Sequence, residues 1–163
     1  MDIVRLKPSQ WPNWRDRLIA FAKRHGDRRI TAAGLRAMLL AEATGACAPS
    51  SVAVVIAHDQ GRLLGFAFAV NAGETACLVV VRPDARGGGI GRRLIEALAN
   101  RCGGRLCCKI AADNPASMQL FFHAGLKAVS VETGPTGKPT LRFETDGFHM
   151  AAAHAEAPAK EAL

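Results

Sequence analysis

The residues whose types and spacing point to chemistry run from Leu78 to Leu94. Leu78-Val79-Val80-Val81 is apolar, Arg82-Pro83-Asp84-Ala85 reads as a tight turn, and Arg86-Gly87-Gly88-Gly89-Ile90-Gly91-Arg92-Arg93-Leu94 is a glycine-rich start to a helix. Glycine reaches backbone torsions closed to other residues and lets a ligand approach the chain closely. Consecutive N–H groups at the positive end of a helix can then converge on phosphate oxygens, and Arg86, Arg92 and Arg93 add positive charge. Two familiar phosphate motifs do not fit. A P-loop ends in Gly-Lys-Ser or Gly-Lys-Thr, whereas Gly91 is followed by Arg92 and Arg93. The dinucleotide fingerprint G-x-G-x-x-G matches Gly89 and Gly91 but meets Leu94 in third place, after a strand that belongs to a meander. A flexible turn before an ordinary helix is the bland alternative.

A second segment, Asn114-Pro115-Ala116-Ser117-Met118-Gln119-Leu120-Phe121-Phe122-His123-Ala124-Gly125-Leu126, has the punctuation of a short helix. Asn114 is a capping residue, Pro115 suits the first helical position, and Gly125 is a stop.

The elements that must hold these segments follow from periodicity. Asp2 to Lys7 reads as a strand broken by Pro8. A first amphipathic helix carries Trp14, Leu18, Phe21 and Ala22 and ends at Gly26. Thr31 caps a second helix with Leu35, Met38, Leu39 and Glu42 on successive turns, stopping at Gly45. From Ser51 β-branched and small apolar residues give strands Val52 to Ala57, Leu63 to Val70 and Thr75 to Val81, with turns at His58-Asp59-Gln60-Gly61 and Asn71-Ala72-Gly73. A helix Ile90 to Arg101, a strand Leu106 to Ala111, a helix Pro115 to Ala124 and strands near Leu126 to Val131 and Thr140 to Phe143 complete the order βααβββαβαββ. Residues 1–145 read as one α/β (α+β) domain, and residues 146–163 as an Ala-rich tail, frayed or disordered.

Composition bounds the partners. At 163 residues, 49% of them hydrophobic, the chain suits one compact domain. It has no apolar run near the roughly 20 residues that cross a bilayer, and Asp2 and Arg5 stand where a signal peptide is apolar. A cytoplasmic protein without membrane partners is the expectation. Five cysteines, Cys47, Cys77, Cys102, Cys107 and Cys108, lack CxxC spacing and read as buried thiols, so no metal is expected. The net charge of +7 attracts anions of any kind. Scattered arginines and the lack of Tyr disfavour nucleic acid as the main partner.

Arg86-Gly87-Gly88-Gly89-Ile90-Gly91, with Val81-x-Pro83-Asp84 before it and Leu94 after, resembles the acyl-CoA pyrophosphate loop (Arg-x-x-Gly-x-Gly) of the GNAT superfamily of N-acyltransferases. The Asn114 segment resembles the same family's Asn-x-x-Ala-x-x-Leu-Tyr-x-x-x-Gly-Phe helix. The two blocks span about Leu78 to Leu126, and the element order extends the likeness across roughly Asp2 to Phe143. The resemblance implies a central mixed, mostly antiparallel sheet of about seven strands with four flanking helices. It implies acetyl-CoA as co-substrate, with Arg86, Gly87, Gly88, Gly89, Ile90, Gly91 and Arg92 around its pyrophosphate. Val79 and Val81 would supply backbone contacts to the pantetheine arm from a splayed strand, and Asn114, Ser117 and Phe121 would lie along the same arm. The family usually has Tyr at the position of Phe121, where its hydroxyl protonates the departing thiolate. Phe has no proton to give; Ser117, one turn earlier on the same face, is the candidate acid, with an ordinary polar helix residue as the bland alternative.

Direct attack by a neutral amine needs a base or a water relay. Glu74, opening the strand that leads to Val81, is the candidate base, with a solvated turn residue as its bland alternative. His58, Asp59 and His123 read as surface. By the resemblance, Trp14, Met38, Leu39 and the segment Gly134 to Pro139 line an acceptor pocket, although such stripes are more often core. Dimers are common in such folds, so a homodimer stays open without a feature that marks an interface. Three readings follow: an N-acetyltransferase acting on an amine of a small molecule or peptide, a non-catalytic acyl-CoA-binding domain that has lost its acid, and a basic nucleic-acid binder with an incidental glycine turn.

Overall fold

The computed structural model describes residues 1–41 and 52–148. Its elements follow the order read from periodicity: β1 (Asp2–Arg5), α1 (Trp11–His25), α2 (Ala32–Leu40), β2 (Val52–Asp59), β3 (Arg62–Val70), β4 (Ala76–Val81), α3 (Ile90–Arg101), β5 (Cys107–Ala111), α4 (Pro115–His123), β6 (Lys127–Thr133) and β7 (Pro139–Glu144). Thr31 caps α2 as expected, its hydroxyl accepting from Gly34 N–H at 3.0 Å. Helix α2 ends at Leu40; the expected stop at Gly45, with Glu42 and Cys47, lies outside the described residues. Strands β2 and β3 run to Asp59 and Arg62, closing on Gln60 and Gly61, both at positive φ (46° and 79°). Those torsions match the twist of a two-residue hairpin.

The strands form two sheets, in the orders β1-β2-β3-β4 and β5-β7-β6, and every ladder is antiparallel. The expected single mixed sheet is therefore parted between β4 and β5, which share no ladder among the described residues. They still touch at their starts: Cys108 Sγ lies 4.0 Å from Cys77 O, and a Cβ on Gly73 would fall 1.8 Å from Cys107 O. Only glycine fits there, and Gly73 also stands at φ +94°.

Both faces of the first sheet are buried, by residues of different size. Ala53, Val55, Ala57, Ala67 and Ala69 share a core with Ile90, Leu94, Ile95 and Leu98 of α3 and with Phe121 and Phe143. Val54, Ile56, Phe66, Phe68 and Val70 share the other with Trp11, Leu18 and Ala22 of α1 and Met38 of α2. The small residues bring α3 close to the strands, and the aromatic rings fill the thicker layer beneath α1 and α2. Trp11 stacks on Phe68 with ring centroids 5.3 Å apart and donates its indole N–H to Ala41 O at 2.9 Å.

The folded chain continues past the expected boundary at residue 145. Thr145 exchanges hydrogen bonds with Leu106 and donates its hydroxyl to Gly104 O, and Phe148 is buried beneath the guanidinium groups of Arg105 and Arg142, 5.1 and 5.2 Å from its ring centroid. The rest of the expected tail, from His149, lies outside the described residues. Among the described residues no helix is long and apolar enough to cross a membrane.

Candidate active site

As the last strand of its sheet, β4 has a ladder on one side only. Arg82 N–H donates to Leu64 O at 2.8 Å. Antiparallel alternation from that pair gives Val80 and Leu78 their bonds to β3 and turns the N–H and C=O groups of Cys77, Val79 and Val81 toward the free edge. Val79 and Val81, expected from the resemblance to offer backbone contacts, thus sit where a ligand between β4 and β5 could use them, except for Val81 O, which accepts from Arg86 Nε.

After β4, one 3-10 turn over Pro83–Ala85 leads into the glycines. Gly87 and Gly89 have φ of +84° and +76°, and Gly89 is the N-cap of α3, with no side chain capping the helix. A Cβ built on Gly87, Gly88 or Gly89 meets nothing within 4 Å. Gly88 is the informative one, because neither packing nor a left-handed φ requires glycine there, and its open side leaves room for a ligand. Gly91 differs: its Cβ would come within 3.0 Å of Leu120, so this glycine seats α4 against α3. The first turn of α3 holds Arg92 and Arg93 and no acid, the reverse of what the helix dipole favours. A bound anion removes that mismatch, and the loop fits a diphosphate by backbone donors and open space.

The arginines are not all free to meet such an anion. Arg92 pairs with Glu96 one turn on, at 2.7 Å, and Arg93 reaches Met1 Sδ at 3.9 Å. Arg86 turns away from the glycines. Its Nε donates to Val81 O at 3.0 Å, one Nη to His25 O at 3.0 Å, and the other pairs with Asp27.

On the opposite arm Asn114 caps α4, its Oδ1 accepting from Ser117 N–H at 3.3 Å, which leaves its Nδ2 donors uncommitted. The Ser117 side chain is half-buried one turn before Phe121. Phe121 is buried, its ring 6.1 Å from that of Phe143. Ile90 is also buried, in the α3 core, so only its backbone can face a ligand.

Glu74 stands apart from this loop, at the closed end where β4 and β5 begin. Both of its carboxylate oxygens accept from Arg142, at 2.7 and 3.0 Å, and Arg142 also donates to Glu144 at 2.6 Å. The Arg142 guanidinium holds the Glu74 carboxyl below its ordinary range, which makes Glu74 a poor proton acceptor. Arg142 was not marked by the sequence reading; it lies 68 residues from Glu74 along the chain and no local pattern joins them. The same is true of Asp27, Arg29 and Asp113.

The thiolate forms of Cys77, Cys102 and Cys107 are disfavoured. A hydrogen bond with Cys108 and burial push the Cys77 thiol well up, and burial raises Cys102 to about 11 and Cys107 to about 12. Adjacent Cys107 and Cys108 part to opposite faces: Cys108 joins the α3 core and Cys107 lies near Arg142 and Glu74. Among the described residues no three His, Cys, Asp or Glu are grouped to hold a metal.

The expected acceptor lining separates on folding. Met38 is fully buried core, Leu39 is exposed, and Trp14 belongs to a separate cavity of about 280 Å³ with Val4, Arg17, His58 and Leu63. The segment Gly134 to Pro139 is the β6–β7 hairpin, whose Lys138 binds Asp113 at 2.6 Å. Asp59 pairs with the amino terminus at 2.7 Å, and His123 is exposed.

The comparisons agree with this geometry. Residues 50–125 match the family model of the acetyltransferase (GNAT) domain, and the chain has the fold of the GNAT acetyltransferase structures it resembles. It is similar to a putative acetyltransferase from Acinetobacter baylyi (18% identity, 88% of this chain and 90% of that one, TM-score 0.61). It is also similar to the aminoglycoside acetyltransferase AAC(6')-Ib solved with paromomycin and acetyl-CoA (16%, 98% and 100%, 0.61). A third is a spermidine N-acetyltransferase, SpeG, from Vibrio cholerae (11%, 89% and 94%, 0.58). Identities this low speak to the fold alone. Among curated protein sequences none matches the chain.

Proposed function

We propose that this protein is a cytoplasmic N-acetyltransferase that moves the acetyl group of acetyl-CoA onto a primary amine of a small molecule or peptide. The observation that carries the reading is the start of α3: a helix N-terminus with no side-chain cap and no acid, beside glycines whose open side no protein atom fills. In this reading the N–H groups from Gly87 to Arg92 and the charges of Arg92 and Arg93 hold the pyrophosphate. The free edges of Val79 and Val81 and the Nδ2 of Asn114 orient the pantetheine arm. The bound thioester supplies an activated acyl carbon.

The amine nitrogen attacks that carbon directly; the C–N bond forms, the C–S bond breaks, and coenzyme A leaves as a thiolate. The raised pKa values of Cys77, Cys102 and Cys107 argue against an acyl-cysteine step. With Glu74 occupied by Arg142, the proton lost from the ammonium passes to water, and Glu74 and Arg142 serve as a fixed pair at the closed end of the groove. Ser117 relays a proton from water to the thiolate in place of the missing tyrosine, giving up its own hydroxyl proton as it takes one from water. Catalysis rests mainly on positioning. The AAC(6')-Ib and SpeG folds, whose names identify an aminoglycoside and spermidine as acceptors, support an amine as the acceptor class without naming one.

The test is a thermal-shift titration with acetyl-CoA, CoA and longer acyl-CoAs on the wild type and on Gly89→Glu. A shift with acetyl-CoA that vanishes in the variant supports the site, and thiol release with a panel of amines then tests turnover. No shift in a folded protein sinks the reading. Phe121 favours a second reading, a non-catalytic acyl-CoA-binding domain, which binding without thiol release with any amine would support.

A further inference from the structure

The groove between β4 and β5 is closed at one end by the Gly73–Cys107 and Cys77–Cys108 contacts. Its other end has no ladder to hold it. There the two arms are joined indirectly, through residues 25–29 between α1 and α2. Arg86, anchored on the last residue of β4 through Val81 O, grips His25 O and the Asp27 carboxylate. Two residues on, Arg29 donates to Asp113 Oδ1 at 3.0 Å and to Asp113 O at 3.1 Å, just past β5 and beside Asn114. Lys138 of the β6–β7 hairpin completes the cluster on Asp113 Oδ2. One short segment thus reaches the pyrophosphate loop with one end and the cap of α4 with the other.

The backbone of this segment is not what its residues prefer. Asp27 and Arg28 stand consecutively at φ of 50° and 58°, a left-handed region that side-chain-bearing residues seldom adopt. Gly26 makes the turn tight: a Cβ there would fall 2.4 Å from Ile30 and 2.6 Å from Ala22 O. Such a conformation persists where its surroundings impose it, and the ion pairs on either side of Arg28 do so. The charged groups involved are about half exposed, so each pair adds little to folding stability. They specify where the segment lies.

We infer that residues 25–29 are a strap across the mouth of the cofactor groove, and that Asp27 and Arg29 are positioning residues that set the separation between the glycine loop and Asn114. This rests on the acyl-CoA reading of the groove and deepens it. Arg86, expected from the sequence among the phosphate ligands, is a staple: it spends its donors on Val81, His25 and Asp27, and the phosphates are left to backbone N–H groups and to Arg92 and Arg93. Because the strap bridges both arms, loss of either anchor loosens the grip on the whole cofactor.

Calorimetric titration of CoA into the wild type, Asp27→Asn, Arg29→Gln, Arg86→Gln and the Asp27→Asn/Arg86→Gln double variant tests this, with Tm measured for each. Asp27→Asn and Arg29→Gln are each expected to weaken CoA binding on the order of tenfold, with Tm held within about 3 °C of wild type. Asp27→Glu is expected to recover most of the affinity. The Asp27→Asn/Arg86→Gln double variant should bind no more weakly than its weaker parent, as partners in one contact do. Unchanged CoA affinity in both Asp27→Asn and Arg29→Gln overturns the strap. So does an Arg86→Gln loss that adds in full to that of Asp27→Asn, which would make Arg86 a phosphate ligand in its own right. A folded wild type that binds no CoA removes the acyl-CoA reading itself, a result the variants cannot mimic.

Discussion

Both carboxylate oxygens of Glu74 are held by Arg142, at 2.7 and 3.0 Å, so this acid at the start of β4 is a poor proton acceptor. Glu74→Gln is therefore expected to leave the pH profile of kcat/KM in place and to lower the rate by no more than about threefold, against the 10² to 10⁴ that a general base typically contributes. Steady-state thiol release between pH 6 and 9 reads the difference. A loss of about a hundredfold together with disappearance of the acid limb would return Glu74 to the role of base.

The same pair has a consequence for stability. The folded-state pKa of Glu74 is depressed below its ordinary value near 4.5, chiefly by the Arg142 hydrogen bonds. Asp113 is depressed likewise, first by Lys138 and then by Arg29. A depressed carboxyl binds its proton more readily in the unfolded chain, so its stabilisation is present above the unfolded pKa and is lost as pH falls through the folded value. Tm is expected to be flat from neutral pH down to about 5 and to fall below about 4.5. In Glu74→Gln that fall should be shallower, as followed by circular dichroism.

Two glycines should respond in opposite ways to the same change. Gly88→Ala places its methyl in open space at an ordinary φ; Tm is expected within about 2 °C of wild type, while CoA binding weakens because the methyl intrudes where the phosphates approach. Gly73→Ala drives a Cβ to 1.8 Å from Cys107 O at φ +94°, and is expected to cost about 3 kcal/mol or more in stability. A calorimetric titration and a melting curve on each variant separate the two. Undiminished CoA binding in Gly88→Ala would argue that this glycine has no ligand to admit.

Phe121→Tyr restores a hydroxyl beside the proposed thiolate. If leaving-group protonation limits the rate, kcat is expected to rise by about tenfold or more with little change in the KM for acetyl-CoA. Ser117→Ala should lower kcat in the wild type and matter less in Phe121→Tyr, because the new hydroxyl takes over. A Phe121→Tyr variant that melts lower and turns over no faster would show that the ring points its para position into the Phe143 contact, away from the sulfur.

Much of the site was readable because its information is local. The glycine loop, the Asn114 cap and the Gly125 stop are each written within a turn or two of backbone, and the order βααβββαβαββ came from periodicities a few residues long. The parting of β4 from β5 was not readable from composition or spacing: an apolar strand reads alike whether or not it shares a ladder with the next, and these two meet at their starts, where Gly73 sits on Cys107, without pairing. Met38 shows the limit of stripes, since its helical spacing suits a pocket wall and a core equally, and the aromatic layer under α2 chose the core.

By itself the sequence determined which segments form helices and strands, where glycines open the start of α3, and that Phe121 has no proton to give. Those properties belong to side-chain chemistry and short-range backbone torsions. Only the tertiary structure decided what the charged groups do. Arg86 is bound to His25 and Asp27, Glu74 is taken by Arg142, and Arg29 finds Asp113 across 84 residues. An ion pair depends on distance in space, and chain separation carries almost no trace of it.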